Sequence, residues 1–485
     1  MYEDFTQELK DERAQKKRKA RAREAETDRK PVLDAPRGMP LWRKIALGVT
    51  FAFAAFSALI LAAVINSADD YPPRDDEQIK YSDFYKKGDE IYALVVGAGY
   101  FAIPDADAAS FRVLDFGSGY RSNVGADVNA VYCGNIAMSE LEPARTKAVA
   151  FGYVSDGQVS YFCDGDAVPN DALGPIELAY QTLAHIFWDA PKPQSYLYKF
   201  KRMDATDLRQ IAGLYYAAED SRAFYKGEVL AGADAANLQA IKGSDGRASS
   251  VYTADGASVY FKNLRLDARD NGGHYELLRQ RLSYFLWDAK GGDVFANDLE
   301  FDPAAAPYTP LNRQLAHSNH LLFASPSGIY YFDENDGKQR RAADNPFAGE
   351  IRALSGSVFQ SGERIYFLEG AEVWGGGRST RRLVARKSGL FALELPYEWR
   401  KVGGVHGGLY GWVYSNGGRF FYFDDLGSSQ LIDRCIYEIR DLSLVEILLQ
   451  KQGFGTDKIR EMIKSGGLEA VDGELLFEVK TRVKF

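Results

Sequence analysis

Cysteine is nearly missing from this chain, with three in 485 residues. That excludes a miniature disulfide scaffold and an all-cysteine zinc site, which needs four thiolates. Histidine is as scarce, at five. No Gly-x-Ser-x-Gly elbow, phosphate loop or Ser-x-x-Lys occurs, so the familiar hydrolase and nucleotide signatures give no starting point. Long apolar runs are also missing, with one exception near the N-terminus. What the chain has is aromatics and turns: 29 Tyr, 29 Phe, 46 Gly and 17 Pro. Tyr, Phe and Gly together build short strands joined by hairpins. The 46% hydrophobic and 26% charged composition is globular, and the length predicts more than one structural unit.

The exception is IALGVTFAFAAFSALILAAVI, 21 residues without a charge between Lys44 and Asn66. At ~1.5 Å rise per residue, a helix of that length matches a hydrocarbon core of roughly 30 Å. Buried core helices are seldom apolar on every face for so long. The run is read as a single transmembrane helix over 45–66. Residues 1–44 hold 13 Lys/Arg and 9 Asp/Glu, net +4, with seven basic residues and no acid in Arg13–Arg23. The rest of the chain holds 46 basic and 58 acidic residues, net −12, and the far flank opens with Asp69 and Asp70. A basic flank inside predicts a cytoplasmic N-terminus. The long segment before the apolar run favours a signal-anchor over a cleaved signal peptide. The basic run is read as a topology signal that adheres to anionic lipid, with nucleic acid as its lesser use.

Beyond a linker at 67–80, strand-forming motifs recur. AFYKG, VYFKN, VFAND, IYYFD and IYFLEG place Tyr225, Tyr260, Phe295, Tyr330 and Tyr366 at spacings of 35, 35, 35 and 36 residues. Less regular members lie near Tyr92, Tyr132, Tyr161, Tyr198 and Phe421. Apolar runs between Asp/Asn/Gly/Ser turns predict hairpin strands, and the fixed period predicts a repeat architecture. DAASFRVL (107–114), DATDLRQI (204–211) and DAANLQAI (234–241) have Asp before an apolar pair three apart, which predicts short helices. TLAHIFWDA (182–190) parallels RLSYFLWDA (281–289), suggesting a larger unit of about 100 residues, helix then strands. Two short helices are expected at Leu442–Gln450 and Thr456–Lys464, followed by alternating strands.

EDSRAFYKGEVLAGADAANLQAI (219–241) resembles the DKNYY repeat family of bacterial envelope proteins, which repeats Asp-Lys-Asn, Tyr-Tyr-Asn-Gly and a Gly-Ala-Asp segment. ADGASVYFKNLRLDA (254–268) and GADVNAVYCGNI (125–136) resemble its first half, and PDADAASFRVL (104–114) its second. No copy spells the family name: Ser-Arg, Gly-Ala and Val-Asn stand for Lys-Asn. The resemblance covers roughly 80–270 and implies β-hairpin repeats in an envelope protein; it supplies no functional residue. The expected organisation is a basic cytoplasmic tail (1–44), a signal-anchor (45–66), a linker (67–80), a β-hairpin repeat ectodomain (81–430), solenoid- or propeller-like with a few amphipathic helices, and an α+β cap (431–485). The expected place is a bacterial inner membrane, with the C-terminal domain periplasmic.

Candidates for chemistry are few. His317 and His320 form an HxxH pair without a zincin Glu, and the simpler reading is two exposed loop histidines. GAGYFA (97–102) and GSGYRS (117–122) lack the third Gly of a dinucleotide fingerprint. DENDGK (333–338) misplaces the Gly of a calcium loop and lacks its closing Glu, so a hairpin turn is expected. Paired aromatics (Tyr215/Tyr216, Tyr330/Tyr331, Phe420/Phe421) can show a ligand one ring at most, because strand neighbours face opposite sides. No cofactor or metal is expected. Cys133 and Cys163 follow aromatics in two successive hairpins, and an oxidising compartment would let them pair; Cys435 is then a buried thiol. The favoured reading is a non-catalytic envelope protein whose ectodomain binds a protein or polymer, with basic protein favoured over nucleic acid by its charge. The alternative is an enzyme acting on cell-wall polymer through carboxylates such as Asp189 or Asp288. A third, a signalling subunit working through the basic tail, lacks a recognisable output domain.

Overall fold

The computed structural model describes Ile45, Leu47 to Phe51, Phe53 and Ser57, and then Gln78 to Val483 except Ser118, Asp189, Ala212, Leu214, Ser244, Asp245, 270–273, Gln314, 377–380, Pro396, Tyr397 and 451–454. Most of the expected transmembrane run, the tail and the linker therefore lie outside the described residues. Among the described residues no helix is long and apolar enough to cross a membrane. The chain divides into two compact units: one holds 1–72, 98–101 and 169–195, the other 73–97, 102–168 and 196–485. The first unit contains helix α1 (Pro175–Trp188), on which Ile176, Tyr180 and Trp188 are exposed.

The second unit is β-rich, and its sheets are antiparallel meanders in chain order. Sheet 1 is built on the hairpin Phe84–Lys87/Glu90–Val95. Sheets 2 to 7 span 112–137, 147–168 with 196–203, 209–229, 239–269, 275–300 and 309–343. Sheet 8 spans 352–394 and takes Glu474–Arg482 as a fifth strand; sheet 9 spans 400–439 and takes Leu468–Ala470. The 35-residue period is one sheet. Tyr225, Tyr260, Phe295, Tyr330 and Tyr366 each stand in the third strand of sheets 4 to 8.

Each sheet is too thin to bury its own apolar face, so it packs on the next. Phe84 meets Tyr132 between sheets 1 and 2. Phe162 meets Phe224 between 3 and 4. Tyr225 meets Tyr260 between 4 and 5, and Phe261 meets Leu286 between 5 and 6. Phe285 meets Phe323, Leu322 meets Tyr366, and Phe367 meets Phe421 across the next three interfaces. Each such side chain stabilises by roughly 1.5–3 kcal/mol when fully buried. Sheet 9 packs its other face on helices α2 (Ser443–Leu448) and α3 (Thr456–Lys464) through Leu448, Ile459 and Met462. Sheets 2 and 3 are joined covalently: Cys133 is bonded to Cys163, with the Cα atoms 5.6 Å apart. Cys435 is free and buried.

Two devices repeat with the sheets. In the first, a buried carboxylate closes the turn before the third strand. Asp127 accepts from the amides of Asp107, Asn129 and Ala130 and from the Tyr132 hydroxyl, all within 2.9 Å. Asp255 repeats this with the amides of Asp234, Ala257 and Ser258 and the Tyr260 hydroxyl. Asp156 and Glu219 accept turn and loop amides in sheets 3 and 4. In the second, a tyrosine of the second strand reaches into the next sheet. The Tyr153 hydroxyl lies 2.8 Å from the Tyr215 carbonyl, and that of Tyr252 lies 2.9 Å from those of Tyr284 and Asn297. The Tyr216 hydroxyl lies 3.4 Å from the Lys262 carbonyl, and the receiving turns hold a left-handed residue: Lys226, Lys262 and Asn297 have φ of 47°, 56° and 56°. Gly134 takes this place in sheet 2, where a Cβ would meet the Tyr198 ring at 1.9 Å.

Three expectations fail. DAASF, DATDL and DAANL form turns that lead into short strands, not helices. In two of them the Asp is committed to the turn: Asp107 Oδ1 accepts from Ala109 and Asp234 Oδ1 from Ala236, and an Asx turn needs no further helical residues. TLAHIFW is helical in α1, whereas its counterpart SYFLWD is the second strand of sheet 6. Its alternating apolar residues pack between two sheets, so the 100-residue unit does not exist. His317 and His320 are 4% and 2% exposed, not loop surface.

Candidate binding groove

Carboxylates that accept turn amides are already committed, so a site has to be sought where the repeat rule lapses. That happens in sheets 7 to 9. The segment after the first strand of sheet 7 runs to sheet 9 and docks on the turn that follows Asp424. The Ser428 amide donates to the Ala316 carbonyl. Gly427, at φ 75°, is required there, because a Cβ would stand 1.8 Å from that carbonyl oxygen. His317 Nε2 then lies 2.8 Å from Asp424 Oδ2. Asp424 also accepts from the Tyr422 hydroxyl at 2.5 Å and from the amides of Leu426 and Gly427. A buried charge needs this many donors to be tolerated.

Over this network opens a groove of about 580 Å³, bordered by the first strands of sheets 7 and 8 and by the turn before the second strand of sheet 9. Ile351, Leu409 and Trp412 supply its apolar wall, and Arg313 and Asp425 its charges. Leu409 is 73% exposed. Gly408 lies against the Trp412 ring, where a Cβ would come within 2.7 Å of it, and the Lys401 ammonium sits over the ring. Arg313 pairs with Glu276 at 2.8 Å and covers the Trp287 ring. Asp425 Oδ1 accepts from the Gly356 amide at 2.8 Å. Burial raises the pKa of this carboxyl, with the neighbouring Asp424 adding to the rise. Such a wall can seat apolar side chains while a polar backbone or ring bonds to the two charged groups.

The sequence-derived candidates do not converge here. His320 Nδ1 lies 2.8 Å from Ser388 Oγ and Nε2 2.9 Å from Thr481 Oγ1, away from His317's carboxylate partner. Burial pushes its pKa down to about 4. Asp288 Oδ1 accepts the Lys290 amide in a turn; Asp189 lies outside the described residues. DENDGK is the turn between the third and fourth strands of sheet 7, with Asp333 accepting the Asn335 amide. Among the described residues no cluster of three metal-ligating side chains occurs. Tyr216 and Phe421 are buried while Tyr215 and Phe420 are half-buried. The groove residues went unnoticed in the sequence, although VGGVHGGLYGW (402–412) carries a signal: glycine pairs beside a tryptophan mark close backbone approach.

No curated protein matches the chain. Residues 84–264 match the model of the DKNYY family. The matched residues run from the first strand of sheet 1 to the first residue of the last strand of sheet 5, and they contain both the carboxylate turns and the tyrosine ties. The groove lies outside them; the similarity to the DKNYY family is confined to the segment from Phe84 to Leu264.

Proposed function

We propose that this is a membrane-anchored envelope protein whose repeat ectodomain binds a protein or polymer partner without transforming it. The observation that carries the reading is the groove, which borders three sheets and sets exposed Leu409 beside Trp412, Arg313 and Asp425. The ectodomain's acidic balance favours a basic partner. The anchor rests on the uncharged run at 45–65; its described residues are helical, and Ile45, Leu47, Val49, Phe51 and Phe53 are all more than half exposed. We read the sheets as an open, solenoid-like array, because α2 and α3 occupy the face of sheet 9 that closure would need.

A photo-crosslinking residue placed at position 409 in the native envelope should capture one definite protein or glycan. The same residue at Leu282, also exposed, should not. Identical capture patterns at both positions would remove the groove from the reading. For topology, a reporter active only outside the cytoplasm should work when fused after Phe485 and fail before Lys44; the reverse result rejects the anchor's orientation.

A further inference from the structure

A second, smaller cavity of about 160 Å³ lies among the first hairpin turn of sheet 6, the loop of sheet 7 and the long strands of sheet 8. Its lining carries Arg281, Arg386 and Arg482 against one acid, Glu334. Arg386 is the deepest of the three, with 14% of its side chain exposed. Its Nε faces Glu372 at 3.4 Å, which leaves the two Nη groups of its planar fork for another acceptor. Arg281 reaches Glu334 only at 4.0 Å, a weak contact.

The neutral donors point the same way. Gln280 is 1% exposed, and its Oε1 accepts from the Leu321 amide at 2.6 Å. That bond fixes which end of the side chain is oxygen, so the Nε2 amide is the end left for the cavity it lines. Among the described residues this amide has no hydrogen-bond partner. An amide that opens on a cavity can donate to a molecule within it. The opposing group is Glu334, whose buried Oε1 is also without a hydrogen-bond partner among the described residues, so three guanidinium groups face one carboxylate. His320, with both ring nitrogens engaged by Ser388 and Thr481, acts as a brace.

We propose that this cavity binds a small oxyanion, a carboxylate or phosphate group, held by the Nη groups of Arg386, by Arg281 and Arg482 and by the Gln280 amide. A bidentate arginine contact suits both anions. Bound anion would also relieve the repulsion between Arg281 and Arg386, which with burial lowers the latter's pKa.

Titration calorimetry of the full chain in detergent micelles at pH 7 and fixed ionic strength tests this, with sodium phosphate and sodium acetate in separate arms. One-site saturable binding is expected in at least one arm, and the arm identifies the group. R386Q should abolish it, and R482Q, at an exposed position, should weaken it at least five-fold. E372Q breaks the Arg386 ion pair but keeps the arginine, so it should retain or tighten binding. Heat that fails to saturate in both arms overturns the proposal. So does binding unchanged in R386Q, or lost equally in E372Q and R386Q, since the latter pattern means general disruption of sheet 8.

Discussion

Sheets 2 to 5 and sheets 7 to 9 bury polar groups in opposite ways. In sheets 2 to 5 a carboxylate serves its own turn and the incoming loop. Burial pushes Asp127 and Asp255 up, but the amides and tyrosine hydroxyls around them outweigh it and hold both below the usual carboxylate range. In sheets 7 to 9 the partners come from far along the chain. His317 and Asp424 are 107 residues apart, and His320 and Thr481 are 161 apart. At two carboxyls there burial wins: Glu369 and Asp425 both sit above their ordinary range, whereas the hydrogen bonds from Arg419 hold Glu438 below it. A local device can be copied from sheet to sheet, whereas a long-range network is built once. Both cavities lie where the network replaces the device.

The largest effect expected from this contrast is at the network's centre. Asp424→Ala takes the acceptor from His317 and from two turn amides, while the Tyr422 hydroxyl keeps the Tyr410 carbonyl, a loss of roughly 3–5 kcal/mol for a broken buried pair. Because arrays of packed repeats couple mainly to their neighbours, amide exchange should accelerate in sheets 7 to 9 and hold in sheets 2 to 5. Uniform loss along the chain would break the comparison. Next is the disulfide. It encloses a separation of 30 residues, so changing Cys133 and Cys163 together to Ala should cost about 3–4 kcal/mol. The lower urea midpoint should be read by probes in sheets 2 and 3, and a loss felt first near Asp424 would contradict it. Smaller again is Tyr252→Phe, which leaves the carbonyls of Tyr284 and Asn297 short of a donor. About 1–3 kcal/mol is expected, seen as faster exchange at the interface of sheets 5 and 6.

The same contrast explains what could be read in advance. The 35-residue period was legible because each sheet needs one aromatic third strand over a turn, and both leave fixed residue types at fixed places. The Asp of DAASF and DAANL was legible as an amide cap, but not as the end of a turn rather than the start of a helix. The deciding bond, from the Asp107 or Asp234 amide to a carboxylate some 20 residues on, is tertiary. RLSYFLWDA failed likewise: strand and helix differ there by what packs on each side. The burial of His317 and His320 depends on Asp424, Ser388 and Thr481, none of which is near in sequence.

The smallest effect tests the sign of the contrast directly. A carboxyl with a depressed folded pKa contributes stability that is present above its unfolded pKa and is lost as pH falls through that value toward the folded one. Asp127, Asp156, Glu219 and Asp255 are all of this kind. Glu369 is the reverse: burial raises its pKa, although Arg434 opposes the rise. Its charged form costs stability, which returns as pH falls through the raised folded value. His320 complicates the C-terminal half, because a buried imidazole lowered to about 4 loses stability as pH falls from its ordinary 6.5. Comparison with neutral isosteres removes that contribution. Wild type minus D255N should lose stability on acidification, while wild type minus E369Q should gain it, each measured by urea midpoint from pH 7 downward. If both differences move in the same direction, the two regions do not bury charge by opposing rules.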